Sequence, residues 1–505
     1  MLGSPAYESS DQASAPATPA FVGLDVHLID SVAWTAVAKW SAQLASWAGF
    51  LIVARLLSPD DFGLFSLTTV YLGLVTLLSE FGIGLALVNL PGLSATQIRQ
   101  MNGLAVLCAC SALVLSFVVS RPIADFFGVP ELFLALLVMS TGLLFAGFRA
   151  VPQGLMQRAM RFRALAAVES GQTVIQVATT IALAALGARY WALVIGGLVG
   201  PATGTICLMI LQRPGFAWPQ PRSLRRMLSF VSAILVSNLC WYAFTNADFT
   251  IAGKVLGQTA LGAYTLAWTL ANTPGERIAT LIMSVTPSVF AACQNDHPAL
   301  RRYMCRLTEG ISITVFPATL GLSCVARDFV TLALGSKWDE VVTPLIFLCV
   351  YVALSSPGPI LGQILNAIGR EKQLMWSSVL KLASLPPAFY FGSHWGGGGI
   401  AAAWVVTYPL LTLPLYWWGL RTIGLSPGEY LRAFRPATVG SIAMVLGVWL
   451  MKLATISMPL RGRLIAQVLT GALVYLLVIF RLERPSIPSY IKAIGDWRRG
   501  ALQTN

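Results

Sequence analysis

Apolar runs long enough to cross a membrane follow one another along nearly the whole chain, separated by short connections rich in Gly, Pro and Arg. A spanning helix needs about 20 predominantly apolar residues. On that measure the pattern predicts fourteen spans. The first six run near 31–54, 62–88, 101–120, 131–151, 164–187 and 190–211. Six more run near 227–252, 260–290, 303–326, 338–368, 373–394 and 397–420, and two near 433–453 and 462–481. The first, seventh and eighth are the most polar. The run Gly396–Gly399 reads as the turn joining the eleventh span to the twelfth, and no GK[ST] follows it to make a phosphate loop.

The chain also repeats itself. Ala54–Leu67 reads ARLLSPDDFGLFSL and Gly253–Leu266 reads GKVLGQTALGAYTL, 199 residues later, with identities at Leu57/Leu256, Gly63/Gly262 and Leu67/Leu266. Arg55/Lys254, Leu56/Val255 and Phe65/Tyr264 are conservative pairs. After the third span comes RPIADFFGVPE (121–131), and after the ninth RDFVTLALGSKWDE (327–340). Each reads as a short interfacial helix, a glycine turn at Gly128 or Gly335, and an acidic residue. Self-similarity at a long, fixed offset marks a duplicated unit. Each copy holds six spans, an even number, so both insert the same way up and are related by an axis along the membrane normal.

The expected architecture is therefore an all-α integral membrane protein of about 14 transmembrane helices, two six-helix bundles related by a pseudo-two-fold plus two C-terminal helices. Its expected divisions are a disordered tail (1–30), an N-terminal bundle (31–211), a linker (212–226), a C-terminal bundle (227–420), two extra helices (421–481) and a tail (482–505). The two copies of the repeat are expected at the outer ends of their spans, facing each other across a cavity.

Composition agrees. The chain is 56% hydrophobic and 11% charged, against about 25% charged in soluble domains, and its mean hydropathy is +0.71. The net charge of +13 is distributed by topology. With the amino terminus inside, 22 basic residues fall on inner connections and tails, Arg149, Arg158, Arg161 and Arg163 among them, and nine fall on the outer face. That bias predicts both termini in the cytoplasm. Nucleic-acid binding is excluded for want of a soluble basic module. The first 22 residues carry no Lys or Arg and no apolar core, so they do not read as a signal peptide. Eight cysteines without a CxxC and three scattered histidines support no metal centre, disulfide scaffold or Cys/His catalysis.

Two stretches, LLSPDDFGLFSLTTVYLGLVTLLSEFGIGLALV (56–88) and LSFVSAILVSNLCWYAFTNADFTIAGKVLGQTALGAYTLAWTLANTPGERI (228–278), resemble the starts of the two halves of bacterial polysaccharide exporters of the oligosaccharide flippase type. That family lies within the multidrug/oligosaccharidyl-lipid/polysaccharide exporter superfamily. The resemblance extends over about residues 30–480. It implies translocation of a polyprenyl-diphosphate-linked oligosaccharide from the cytoplasmic to the periplasmic leaflet, for O antigen, capsule or exopolysaccharide, by alternating access in the bacterial inner membrane. It implies no covalent cofactor, an ion gradient to reset the cavity, and membrane lipids and polysaccharide polymerase or export machinery as further partners; a monomer is expected. A lipid II flippase and a drug/cation antiporter of the same superfamily stay open as alternatives. A polysaccharide polymerase or ligase is disfavoured, because the longest outer connection is short and bears no acid/base set.

Such a substrate needs cations for its diphosphate and amides or aromatics for its sugars, and ionisable residues inside spans are costly unless they face a cavity or a partner. Lys39, Gln43 and Trp47 share one face of the first span, as a sugar-phosphate path or with Lys39 snorkelling to the interface. Asn238, Trp241 and Tyr242 form a polar–aromatic stripe on the seventh span, near Asn246 and Asp248. Asp248 either carries a coupling proton or, as the favoured reading, pairs with Lys254. In ANTPGERI, Pro274 and Gly275 are expected to break the eighth span, with Arg277 as diphosphate ligand or, with Glu276, in a salt bridge. Glu80, Asp248 and Glu276 are the ion-coupling candidates. Glu169, Gln172 and Gln176 make a stripe on the fifth span, with Glu169 capping or paired to Arg163. Glu309 and Lys381 are isolated; structural pairing is expected of both, with Pro386–Pro387 marking another break.

Overall fold

A computed structural model describes residues 43, 45–80, 83–89, 92–220, 238–283, 286, 289–290 and 293–483. Among these the elements are helices and turns. In chain order they are α1 (Ala45–Leu56), α2 (Pro59–Glu80), α3 (Ile83–Asn89), α4 (Ala95–Phe127), α5 (Glu131–Ser140), α6 (Gly142–Arg158), α7 (Phe162–Ala185) and α8 (Trp191–Leu211). Then come α9 (238–245), α10 (Ala247–Ile251), a π-helical turn (Ala252–Leu256), α11 (Gln258–Met283) and α12 (His297–Ala333). A 3-10 turn (Ser336–Val341) leads into α13 (Val342–Ser355), α14 (Gly358–Ala367), α15 (Glu371–Ser393), α16 (Gly396–Ile423), α17 (Pro427–Arg432), α18 (Arg435–Ala454) and α19 (Leu460–Glu483).

Helix ends follow local chemistry. Ser94 and Gln97 close a capping box at the start of α4, and Gly128 ends that helix in the left-handed region at φ 71°. Asp296 caps α12 through the Ala299 amide. The segments after the third and ninth spans are not separate interfacial helices. α4 and α12 run on through 121–127 and 327–333, because nothing there terminates a helix before the glycine turns, Gly335 having φ 96°.

Two other expected breaks are absent. α11 is continuous through Pro274 and α15 through Pro386 and Pro387; prolines are tolerated where neighbouring helices resupply the freed backbone. Gly275 instead permits packing, since a Cβ there would meet Val352 Cγ1 at 3.0 Å. Gly396 makes the turn before α16, at φ 71°, but Gly397–Gly399 belong to the helix. There Gly399 presses on Gly392 of α15, a Cβ falling 2.1 Å from its carbonyl oxygen.

Helices of residues 59–211 pack chiefly on one another, and those of 238–423 do the same. The main seam between the two sets is α2 against α11. α18 and α19 lie on α12, where Arg463 Nε and Gln467 Nε2 donate to the buried Asp328 carboxylate at 3.0 and 3.1 Å. Among the described residues nine helices are long and apolar enough to span a membrane. The count of fourteen is thus not reached by that measure: residues 31–54 and 227–252 lie partly outside the described residues, while α7, α11 and α15 are long enough but too polar. Of those three, α7 and α11 carry part of the chemistry described next.

Candidate functional site

The two copies of the repeat meet directly at one end of the seam. A Cβ on Gly63 would lie 1.9 Å from the Gln258 carbonyl oxygen, and one on Gly262 would lie 1.8 Å from that of Pro59. Pro59/Gln258 and Gly63/Gly262 are equivalent pairs, so each glycine admits the backbone that its counterpart's copy presents. Ser66 Oγ and Thr265 Oγ1, also equivalent, are 2.9 Å apart, and Thr259 bonds its counterpart Asp60. Residues facing their own counterparts lie on the axis that relates the copies. The expectation of a cavity between the copies is therefore corrected: without side chains at these glycines, the backbones close on each other.

The loops complete this closure. Lys337 Nζ donates to the carbonyls of Arg55 and Leu57, each at 2.7 Å, and Trp338 Nε1 to that of Ala54 at 2.9 Å. These are the orphan carbonyls at the C-terminus of α1, where a cation is electrostatically favoured. Lys254 reaches in the opposite sense, to the Phe126 carbonyl and over the Phe126 ring. Its expected partner is elsewhere. Asp248 is fully buried and accepts from Tyr264 Oη at 2.7 Å, Trp404 Nε1 at 2.9 Å and its neighbour's amide. It braces α10 against α11 and α16, and does not pair with Lys254.

Farther from this closed end lies a cavity of about 620 Å³, lined among others by Thr76, Arg149, Gln153, Gln157, Thr205 and Asn238. Arg149 is not a connecting-loop residue; it sits within α6, largely buried. Its Nε donates to Gln153 at 2.7 Å and its Nη1 to Gln172 at 2.6 Å, while Nη2 is 4.0 Å from Glu169. Glu169 thus reaches Arg149 from α7, alongside the Gln172 it was expected to share a stripe with. The α7 ladder fits because α8 opposes it with glycine. A Cβ on Gly196 would strike Thr180 at 1.9 Å, one on Gly200 would meet Gln176 at 2.8 Å and one on Gly204 would strike Gln172 at 2.2 Å. Small residues bring helices close, and polar side chains then bond across them in the membrane. The result is a guanidinium oriented by amides at the wall of a roomy cavity, an arrangement suited to an anionic, hydroxylated solute.

The structure separates the residues that the seventh-span pattern groups. Asn238 lines the cavity. Tyr242 crosses the seam to donate to the Val70 carbonyl at 2.7 Å, in space left by Gly73, and Trp241 is exposed. Asn246 Nδ2 bonds the Tyr242 carbonyl at the α9–α10 break. Gln43 is helical and half-buried, Trp47 is exposed, and Lys39 lies outside the described residues. Glu276 is an exposed residue of α11. Arg277 also sits on α11 and Glu80 ends α2, their side chains lying outside the described residues. Sequence reasoning missed Arg149, although Arg149, Gln153 and Gln157 stand at the same four-residue spacing that drew attention to Lys39, Gln43 and Trp47.

Residues 52–343 match the family described as polysaccharide biosynthesis protein. The lipopolysaccharide biosynthesis protein WzxC of Escherichia coli (strain K12) is 26% identical over 80% of this chain and 83% of its own length. The succinoglycan biosynthesis transport protein ExoT of Rhizobium meliloti (strain 1021) is 22% identical over 90% of this chain and 93% of its own. Among solved structures, lipid II flippase MurJ in an inward closed conformation superposes with a TM-score of 0.72 at 16% identity, covering 90% of this chain and 99% of that one. The last likeness is one of fold.

Proposed function

The chain belongs to the polysaccharide biosynthesis protein family, and from that premise we propose that it flips a polyprenyl-diphosphate-linked oligosaccharide across the bacterial inner membrane by alternating access. The observation that carries the proposal is the cavity: about 620 Å³ of space beside an arginine held by Gln153 and Gln172, at a distance from an end sealed by the repeated loops. A planar, pre-oriented guanidinium suits the diphosphate, and the amides suit sugar hydroxyls. Asn238 lines the same cavity, and Gln43, Trp47, Lys39 and Arg277 are proposed for the substrate path on their residue types alone.

In this reading the sealed end faces the periplasm and both termini the cytoplasm, so the cavity takes its substrate from the inner leaflet. Export requires α2 and α11 to part where Gly63 and Gly262 now bring them together. Asp248 is enclosed by three donors, so ion coupling falls to Glu80 or Glu276. An arginine at the wall argues against a cationic drug as substrate. The family is one of transporters, and the glycan is moved without being altered.

The test is deletion of the gene in its native host. Lipid-linked repeat units are expected to accumulate in the cytoplasmic leaflet, protected from enzymes added on the periplasmic side, with loss of the polymer. Normal periplasmic accessibility of those units in the deletion strain would refute the assignment.

A further inference from the structure

Gln373, Ser377, Lys381, Leu385 and Phe389 recur every four residues on α15 and so form one ridge winding slowly around it, each next to the one before. Gln373 (5%), Ser377 (8%), Leu385 and Phe389 (both 0%) are buried, whereas Trp376, Leu380 and Phe391 on the other side of the helix are exposed. The stripe therefore faces protein. Lys381 stands at its centre and is only partly buried.

The expectation that Lys381 is structurally paired does not hold. Its Nζ lies 5.0 Å from the centroid of Tyr408 and 5.9 Å from that of Phe244, and among the described residues it has no carboxylate, carbonyl or hydroxyl partner. Aromatic faces attract a cation but do not replace the anion that an intramembrane ammonium normally meets. Among the described residues two further groups on the stripe also lack a partner, Ser377 Oγ and Gln373 Oε1. Buried polar atoms are nearly always satisfied. Two such atoms beside an ammonium that lacks an anion leave room in the bonding pattern for a ligand with a negative charge and hydroxyl donors.

The neighbours narrow its chemistry. Tyr408 meets Tyr351 edge to face and Trp404 at a tilt, with centroids 5.2 and 6.0 Å away, which fixes its ring and hydroxyl beside Lys381. A compact ammonium with rotatable donors matches one carboxylate. The diphosphate, with more oxygens, is better met by the planar fork of Arg149. Resting on the flippase reading above, we infer that Lys381, with Ser377, Gln373 and Tyr408, binds a carboxylate-bearing sugar, so that the transported glycan is acidic.

Three probes test this on the purified full-length protein in lipid nanodiscs: farnesyl diphosphate, a farnesyl-diphosphate disaccharide ending in glucuronate, and the same disaccharide ending in glucose. The wild type is expected to bind the glucuronate probe about tenfold more tightly than the glucose probe, the scale of one charge-assisted contact. Lys381→Gln removes that difference and leaves farnesyl diphosphate binding unchanged, which also shows that the variant is folded; Lys381→Arg retains most of it. Equal binding of the two disaccharides by the wild type overturns the proposal while leaving the flippase reading intact. So does a Lys381→Gln loss as large for farnesyl diphosphate as for the glucuronate probe, which would give the lysine to the diphosphate. Failure of the wild type to bind any probe overturns the flippase reading and this proposal with it.

Discussion

The two ends of the α2–α11 seam are built from the same duplicated helices and behave oppositely. At the sealed end contact is made by backbone: Gly63 and Gly262 admit carbonyls that a side chain would strike at 1.9 and 1.8 Å, and Ser66 meets Thr265 at 2.9 Å. Away from that end α2 turns Leu72, Thr76 and Leu77 to the cavity, whose long polar side chains, Arg149, Gln153 and Gln157, come from α6. Shape closes one end, and the charge and amide groups of α6 and α7 furnish the other. The lesson is that duplication supplies the closure by symmetry, because residues facing their counterparts need only be small, whereas the binding chemistry is peculiar to each half. Arg149 with its glutamines belongs to one half and Lys381 with its aromatic rings to the other.

The comparison breaks most completely if the sealed end cannot open. Ser66→Cys with Thr265→Cys places two thiols where hydroxyls now touch, well within reach of disulfide geometry. Oxidation is expected to abolish export and reduction to restore it, with either single variant insensitive. Export that continues through the cross-link would mean that α2 and α11 need not part. The reverse perturbation is Gly63→Leu. The atom it strikes is backbone, which yields little, so the cost is expected at or above the top of the overpacking range, about 3 kcal/mol. The readout is a lowered thermal midpoint in detergent, and Gly262→Leu should match it. Unequal effects would show that the two copies do not carry the closure equally.

At the cavity end the decisive substitution is Arg149→Ala. Removing a charge that binds a buried anion costs about 2–4 kcal/mol, so translocation of lipid-linked oligosaccharide should fall by at least about thirtyfold, alongside a lowered thermal midpoint because Gln153, Gln172 and Glu169 lose their partner. Arg149→Lys is expected to recover only part of the rate, because an ammonium cannot reproduce the fork. A full recovery would mean that charge alone suffices and that the orienting bonds from Gln153 and Gln172 are incidental.

Much of the fold was legible, and the reason is the solvent. A bilayer requires long apolar runs, and these lie where α4, α8, α12 and α16 lie; the repeat announced the symmetry. What failed was local. Proline and glycine in ANTPGERI read as a break, yet α11 continues because Gly275 seats α11 against Val352. Arg149 read as a loop charge, since four arginines cluster between 149 and 163 and only the packed helices show which of them turns inward. Asp248 and Lys254, one helical turn and a half apart, read as partners. The donors to Asp248 come instead from residues 264 and 404, a distance that no local pattern encodes.

The smallest expected effect concerns the trim of the sealed end. Lys337 donates to two carbonyls at the end of α1, but it is partly exposed, and solvent screens such contacts. Lys337→Met keeps the stem and removes the charge. It should therefore weaken closure by about 1 kcal/mol, roughly a fivefold rise in the fraction of open molecules. A cysteine introduced at Thr265 reads this directly, because its labelling by a membrane-impermeant maleimide requires α2 and α11 to separate. The expected result is labelling several-fold faster in Lys337→Met than in the parent, with Trp338→Phe, which loses its bond to Ala54 and leaves space in a fully buried site, at least as fast. Unchanged labelling in both variants would mean that the glycine contact alone holds the end shut and that the loop only covers it.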